Sequence, residues 1–106
     1  MNLTSFLQDK RLTIALKGEI DHHSAKDTMR VVGNKIDLYL PCVCVLDFRE
    51  VTFMDSSGIA VVLHTLRRMK LLQGRVILQN IPAQPYKVLR AAGIEKITEV
   101  REECPQ

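Results

Sequence analysis

At 106 residues the chain has the length of a single domain, with room for a real core. Its 46% apolar and 25% charged residues match a folded soluble protein and exclude a disordered one. A net charge of +3 spread along the chain, with 5% aromatics and no Trp, speaks against a nucleic-acid surface of basic patches and stacked bases. Cys42, Cys44 and Cys104 are an odd set without disulfide spacing, as expected of the reducing cytoplasm. No signal-peptide pattern stands at the start, and no apolar run approaches the roughly 18–20 residues of a membrane helix.

Residues 3–8 read as a weak strand, and Asp9-Lys10 as a tight turn. Leu12, Ile14 and Leu16 alternate with Thr13, Ala15 and Lys17, the period of a half-buried strand, and Gly18 is expected to end it. Asp21, or a residue just after it, opens a helix whose apolar positions Ala25, Met29, Val32 and Ile36 recur at three- and four-residue spacing. Gly33-Asn34 is its weak point, and Pro41 closes the segment. The continuous apolar run 42–46 predicts a strand covered on both faces, hence a parallel one.

A second helix follows Ser56, with Ile59, Val62, Leu63, Leu66 and Met69 as one stripe and Gly74 as its stop. Arg67, Arg68 and Lys70 near its end read as a solvated C-terminus favoured by the helix dipole. Residues 76–78 form a third core strand. Pro85 suits a first helical position, Val88, Leu89 and Ala92 give that helix its face, and Gly93 stops it. Residues 94–100 are expected as an edge strand and 101–106 as a frayed tail. The order β-β-α-β-α-β-α-β predicts one α/β domain over residues 1–106. Its sheet is mixed and mostly parallel, of four to five strands, with three helices.

The chemistry concentrates in Asp55-Ser56-Ser57-Gly58, between an apolar run and a helix. As an N-cap, Ser56 would accept a backbone N–H and contribute about 1 kcal/mol. A nucleophile elbow is a poor fit, since G-x-S-x-G is absent, and a small hydrolase or transferase using Ser56 is the alternative of a different class. His64 lies about 12 Å up the helix axis from Ser56, too far to serve as its base. Gly58 leaves the first turn without a side chain, open to close approach by another backbone or a phosphate. Asp21-His22-His23 is a poor metal site because adjacent residues do not share a helix face. Cys42 and Cys44 read as small core residues on one strand face. No P-loop, G-x-G-x-x-G or metal-ligand cluster appears, so no catalytic residue, cofactor or metal is assigned. The pattern is that of an interaction module.

Two segments carry a resemblance: GEIDHHSA (residues 18–25) and VTFMDSSGI (residues 51–59). Together with Gly74-Arg75 and Ala92-Gly93-Ile94, they resemble the bacterial anti-sigma factor antagonists of the STAS fold. The Asp-His-His form is most similar to the sporulation branch, the antagonists of the anti-sigma-F factor. The resemblance implies a non-enzymatic cytoplasmic protein that binds an anti-sigma factor which is also an ATP/ADP-binding serine kinase, so freeing a sigma factor. It implies inactivation by phosphorylation of Ser56, reversal by a PP2C-type phosphatase, and Asp21 beside the phosphosite. No nucleic acid or membrane partner is implied. Ala60 departs from a frequent glycine of the family. The alternative within the same fold is another partner-switching pathway, of general-stress or stressosome type.

Strands that run parallel end on one side of the sheet. Asp21, Asp55, Ser56, Ser57 and Gly58 are therefore expected on one surface there, where open α/β sheets bind their ligands.

Overall fold

The computed structural model describes residues 3–101. In chain order the elements are β1 (Thr4–Gln8), β2 (Arg11–Ile20), α1 (Ala25–Tyr39), β3 (Val43–Met54), α2 (Ser57–Leu71), β4 (Arg75–Gln79), α3 (Ala83–Ala91), a 3-10 helix (Ile94–Lys96) and β5 (Glu99–Arg101). The sheet has the order β1-β2-β3-β4-β5. Only β1 pairs antiparallel, with β2; every other neighbour is parallel. The expected element order and the mixed, mostly parallel sheet are both found.

Alternation along β2 buries Leu12, Ile14 and Leu16. They join Cys44, Leu46 and Phe48 of β3 and Val76 and Leu78 of β4 in one core cluster. The helices close that face with Val32 and Ile36 of α1, Val61, Val62 and Met69 of α2, and Leu89 of α3. Val45 and Ile77 are also buried, although they point to the opposite face. On that face Glu99 accepts from Arg75 at 2.7 Å and from Arg101 at 2.9 Å. These two bonds hold the Glu99 carboxyl below its ordinary pKa.

Several boundaries differ from the sequence expectation, each for a local reason. Gly18 does not end its strand. It takes φ +78° inside β2, where the register with β3 shifts between Gly18 and Glu19, as at a bulge. α1 runs unbroken through Gly33, which is buried: a Cβ there would stand 3.0 Å from His64 Nε2, so the glycine sets how closely α1 and α2 approach. β3 starts at Val43, leaving Cys42 exposed while Cys44 is buried. Cys42 is therefore not a core residue, whereas burial pushes the Cys44 thiol up to about 12.

β3 also continues far beyond Leu46, to Met54. α3 starts two residues before Pro85, whose missing N–H falls in the first turn, where no intrahelical partner exists. Residues 94–100 form not one strand but a 3-10 helix followed by β5, after Gly93 turns the chain at φ +74°. Arg101 pairs opposite Gln79 rather than fraying, and residues 102–106, with Cys104, lie outside the described residues.

Candidate functional site

The site is built by strand register. β2 and β3 run parallel and end together, with Ile20 opposite Met54, and the Asp55 N–H donates to the Ile20 carbonyl at 3.2 Å. Asp21 and Asp55 thus leave the sheet on adjacent strands, about 4.8 Å apart in the pairing direction. The turns they open lead into α1 and α2, so the expected meeting of the two segments at one sheet edge is realised.

At the first turn the Asp21 carboxylate accepts the N–H groups of His23 at 3.0 Å and Ser24 at 3.1 Å. Ser24 answers by accepting the Asp21 N–H at 3.1 Å and donating to the Glu19 carbonyl at 2.9 Å. The backbone bond from Ser24 is the main cause of a lowered Asp21 pKa. Partial desolvation opposes it, and the His23 N–H and charge add to it. His22 and His23 are exposed and stack edge to face, 5.5 Å apart.

At the second turn the capping differs from the expectation. Ser56 already has helical dihedrals, φ −65° and ψ −15°, and its side chain makes no cap hydrogen bond. The cap is Asp55, whose Oδ1 accepts the Ser57 N–H at 2.7 Å. The reason is geometric: a capping side chain reaches back from extended backbone, and Ser56 is already turned into the helix. Gly58 and Ile59 donate to the Asp55 and Ser56 carbonyls at 3.0 and 3.1 Å. The first N–H groups of α2 are therefore engaged within the chain, while the exposed Ser56 hydroxyl has no partner among the described residues.

The other two residues of the motif lie deeper. Ser57 is half-buried, and its hydroxyl too is without a hydrogen bond among the described residues. Gly58 is buried, and a Cβ on it would fall 2.3 Å from Met54 Cγ. Its bare side therefore faces the core and not an approaching molecule, contrary to the expectation drawn from its lack of a side chain. It is required so that α2 can start directly over Met54.

Two neighbours escaped the sequence reading. Gln84, in the first turn of α3, accepts the Met54 N–H through Oε1 and donates through Nε2 to the Met54 carbonyl, both at 2.8 Å. β4 stops pairing at Asp47, so this edge of β3 has no strand beside it, and the Gln84 amide takes a strand's place at the residue before Asp55. Nothing in the sequence marks Gln84, because the contact exists only once α3 folds back onto β3. Phe53 is 42% exposed beside the turn. It was legible as the outward partner of Met54 in strand alternation.

Residues 6–104 match the family model for the STAS domain. An anti-sigma F factor antagonist of Lysinibacillus sphaericus is 30% identical over 83 residues, covering 78% of this chain and 71% of that protein. One from Paenibacillus polymyxa is 29% identical over 100 residues, covering 92% and 85%. Among solved structures, the anti-sigma factor antagonist SpoIIAA in its unphosphorylated form superposes with a TM-score of 0.82 at 25% identity, over 97% of this chain and 89% of that one. The phosphorylated form of the Bacillus protein gives a TM-score of 0.74 at 25% identity, over 97% and 92%. The chain belongs to the STAS domain family and stands in it beside the anti-sigma F factor antagonists.

Proposed function

We propose that this chain is an anti-sigma factor antagonist switched by phosphorylation of Ser56. Unphosphorylated, it binds an anti-sigma factor that is also a serine kinase, and so frees a sigma factor in the cytoplasm. The kinase, using its own ATP, places a phosphate on Ser56 and ends the binding; a PP2C-type phosphatase removes it. The chain itself performs no catalysis. The docking surface comprises Asp21, Asp55, Ser56 and Ser57, with Gly58 beneath them as the packing that lets α2 start there.

The observation that carries this reading is the exposed Ser56 hydroxyl, without a partner among the described residues, next to Asp55 at the start of α2 on the sheet edge that also carries the Asp21 turn. The names of the relatives and the two forms of SpoIIAA support it.

The physics of the switch follows from charge. A phosphate adds about −1.5 to −2 charges at neutral pH. In the free domain the helix dipole favours it by about 0.3–1 kcal/mol. The first N–H groups of α2 are occupied, so the phosphate stays in water and asks for no refolding. In a docked complex the same phosphate must lose water beside Asp21 and Asp55, and an unpaired interfacial charge costs about 2–5 kcal/mol. The interfacial cost exceeds the dipole gain, so the modification blocks binding directly.

Mixing the protein with its candidate anti-sigma kinase tests this. With ATP, one phosphate is expected at Ser56 by phosphopeptide mapping. With ADP, a stable complex is expected. Ser56→Ala is expected to abolish labelling and Ser56→Asp to weaken the complex at least tenfold, about 1.4 kcal/mol. A label on Ser57 would refute the assignment.

A further inference from the structure

α2 carries two different faces. His64 and Arg68 look toward α1, where Arg68 pairs with Asp37 at 2.5 Å. On another face Leu63, Leu66 and Lys70 recur at three- and four-residue spacing along one wall of an open cleft of about 790 Å³. Val76 of β4 and Ile97, which follows the 3-10 helix, complete the apolar lining. Ile97 is 57% exposed and Leu63 and Leu66 are half-buried, while Val76 is the buried floor. The cleft reaches Gly74 before β4, at the opposite pole of the sheet from Asp55 and Ser56.

The charge lining this cleft is of one sign. Among the described residues Arg67 and Lys70 border it, no carboxylate lines it, and neither cation has an ion pair. Ligand pockets have this make-up: about 300–1,000 Å³, mostly apolar, with a few converging polar groups. The apolar wall removes a hydrocarbon body from water. The Arg67 guanidinium offers the planar fork that matches a carboxylate, and Lys70 adds a point charge.

We propose that the cleft between α2, the start of β4 and Ile97 binds a small amphiphilic carboxylate, a free molecule with an alkyl body of medium-chain fatty-acid type. Its apolar body lies against Leu63, Leu66, Val76 and Ile97, and its carboxylate meets Arg67 and Lys70. The site is independent of the Ser56 reading; either stands if the other fails.

Sodium decanoate, below its micelle-forming concentration, is the probe, titrated into the full chain and followed by amide NMR. Saturable shifts confined to the cleft-lining residues are expected. Decanol, with the same tail and no charge, is expected to bind at least tenfold more weakly. The exposed-site double variant Arg67→Gln/Lys70→Gln is expected to stay folded, with the parent's amide dispersion, and to lose affinity at least tenfold, the size of a lost charge-assisted contact. Shifts that scatter over the surface or never saturate overturn the site. Equal binding of decanol, or unchanged affinity in the double variant, overturns the assigned head-group chemistry and with it the proposal. An acidic amphipathic helical peptide that occupies the cleft where decanoate does not would likewise overturn it, by making the cleft a protein-docking groove.

Discussion

The carboxylate of Asp55 takes the Ser57 N–H at the start of α2, and this leaves the Ser56 hydroxyl bare in solvent. Burial then separates the two serines: Ser56 is exposed, while Ser57 is half-buried. The neighbouring Asp21 spends its carboxylate on backbone N–H groups, so its negative charge is fixed in place rather than mobile. His64 is the residue with a pH signature. Its Nε2 is enclosed between α1 and α2 without a hydrogen-bond partner among the described residues. Desolvation, then repulsion by Arg68 and Arg67, lowers its pKa below 6.5, against smaller opposing effects of the Met29 carbonyl and Asp37 on α1. The folded state therefore holds this proton less tightly than the unfolded one. Stability from neutral His64 is present above about pH 6.5 and is lost as pH falls below that toward the lowered value. Thermal melts between pH 7.5 and 5 should show this loss, and His64→Gln should flatten the profile; a parent-like slope in that variant would reassign it to other groups.

At the scale of elements, the site is held where β2, β3, α2 and α3 converge. β3 outruns β4 by seven residues, since its pairing with β4 ends at Asp47 and the strand ends at Met54. Such an exposed edge leaves backbone groups without partners, and Gln84 satisfies both of those on Met54. Gln84→Ala is expected to cost about 1–3 kcal/mol, the sum of two net hydrogen bonds at about 0.5–1.5 kcal/mol each. Amide exchange at Met54 should accelerate in the variant. Exchange equal to the parent's would show that the clamp does not hold the strand in solution. The same convergence explains Gly58: α2 must pass directly over Met54, and a methyl group there would force a fully buried side chain aside.

At the scale of the whole molecule, Ser56 and the proposed carboxylate cleft lie at opposite poles of one mixed, mostly parallel sheet, joined by α2. If phosphorylation acts by blocking contact rather than by refolding, spectra of the two forms should differ around residues 52–60 and the Asp21 turn and coincide elsewhere. Widespread backbone shifts, at the cleft above all, would show that α2 transmits the modification and would sink the blocking account. The sequence by itself determined the α/β order, the parallel core strands and the DSSG turn, because hydrophobic period, glycine placement and motif are local properties. It could not determine which residue caps α2, that Gln84 closes the edge of β3, that Gly58 faces inward, or that Cys42 falls outside the core. Each of these depends on which backbone groups are left unpaired and which neighbours come within contact after the strands take their register. Only the tertiary structure sets that: Gln84 reaches Met54 from thirty residues away, and even the near contacts, Asp55 to Ser57 and Gly58 to Met54, follow from where β3 ends and how α2 packs over it.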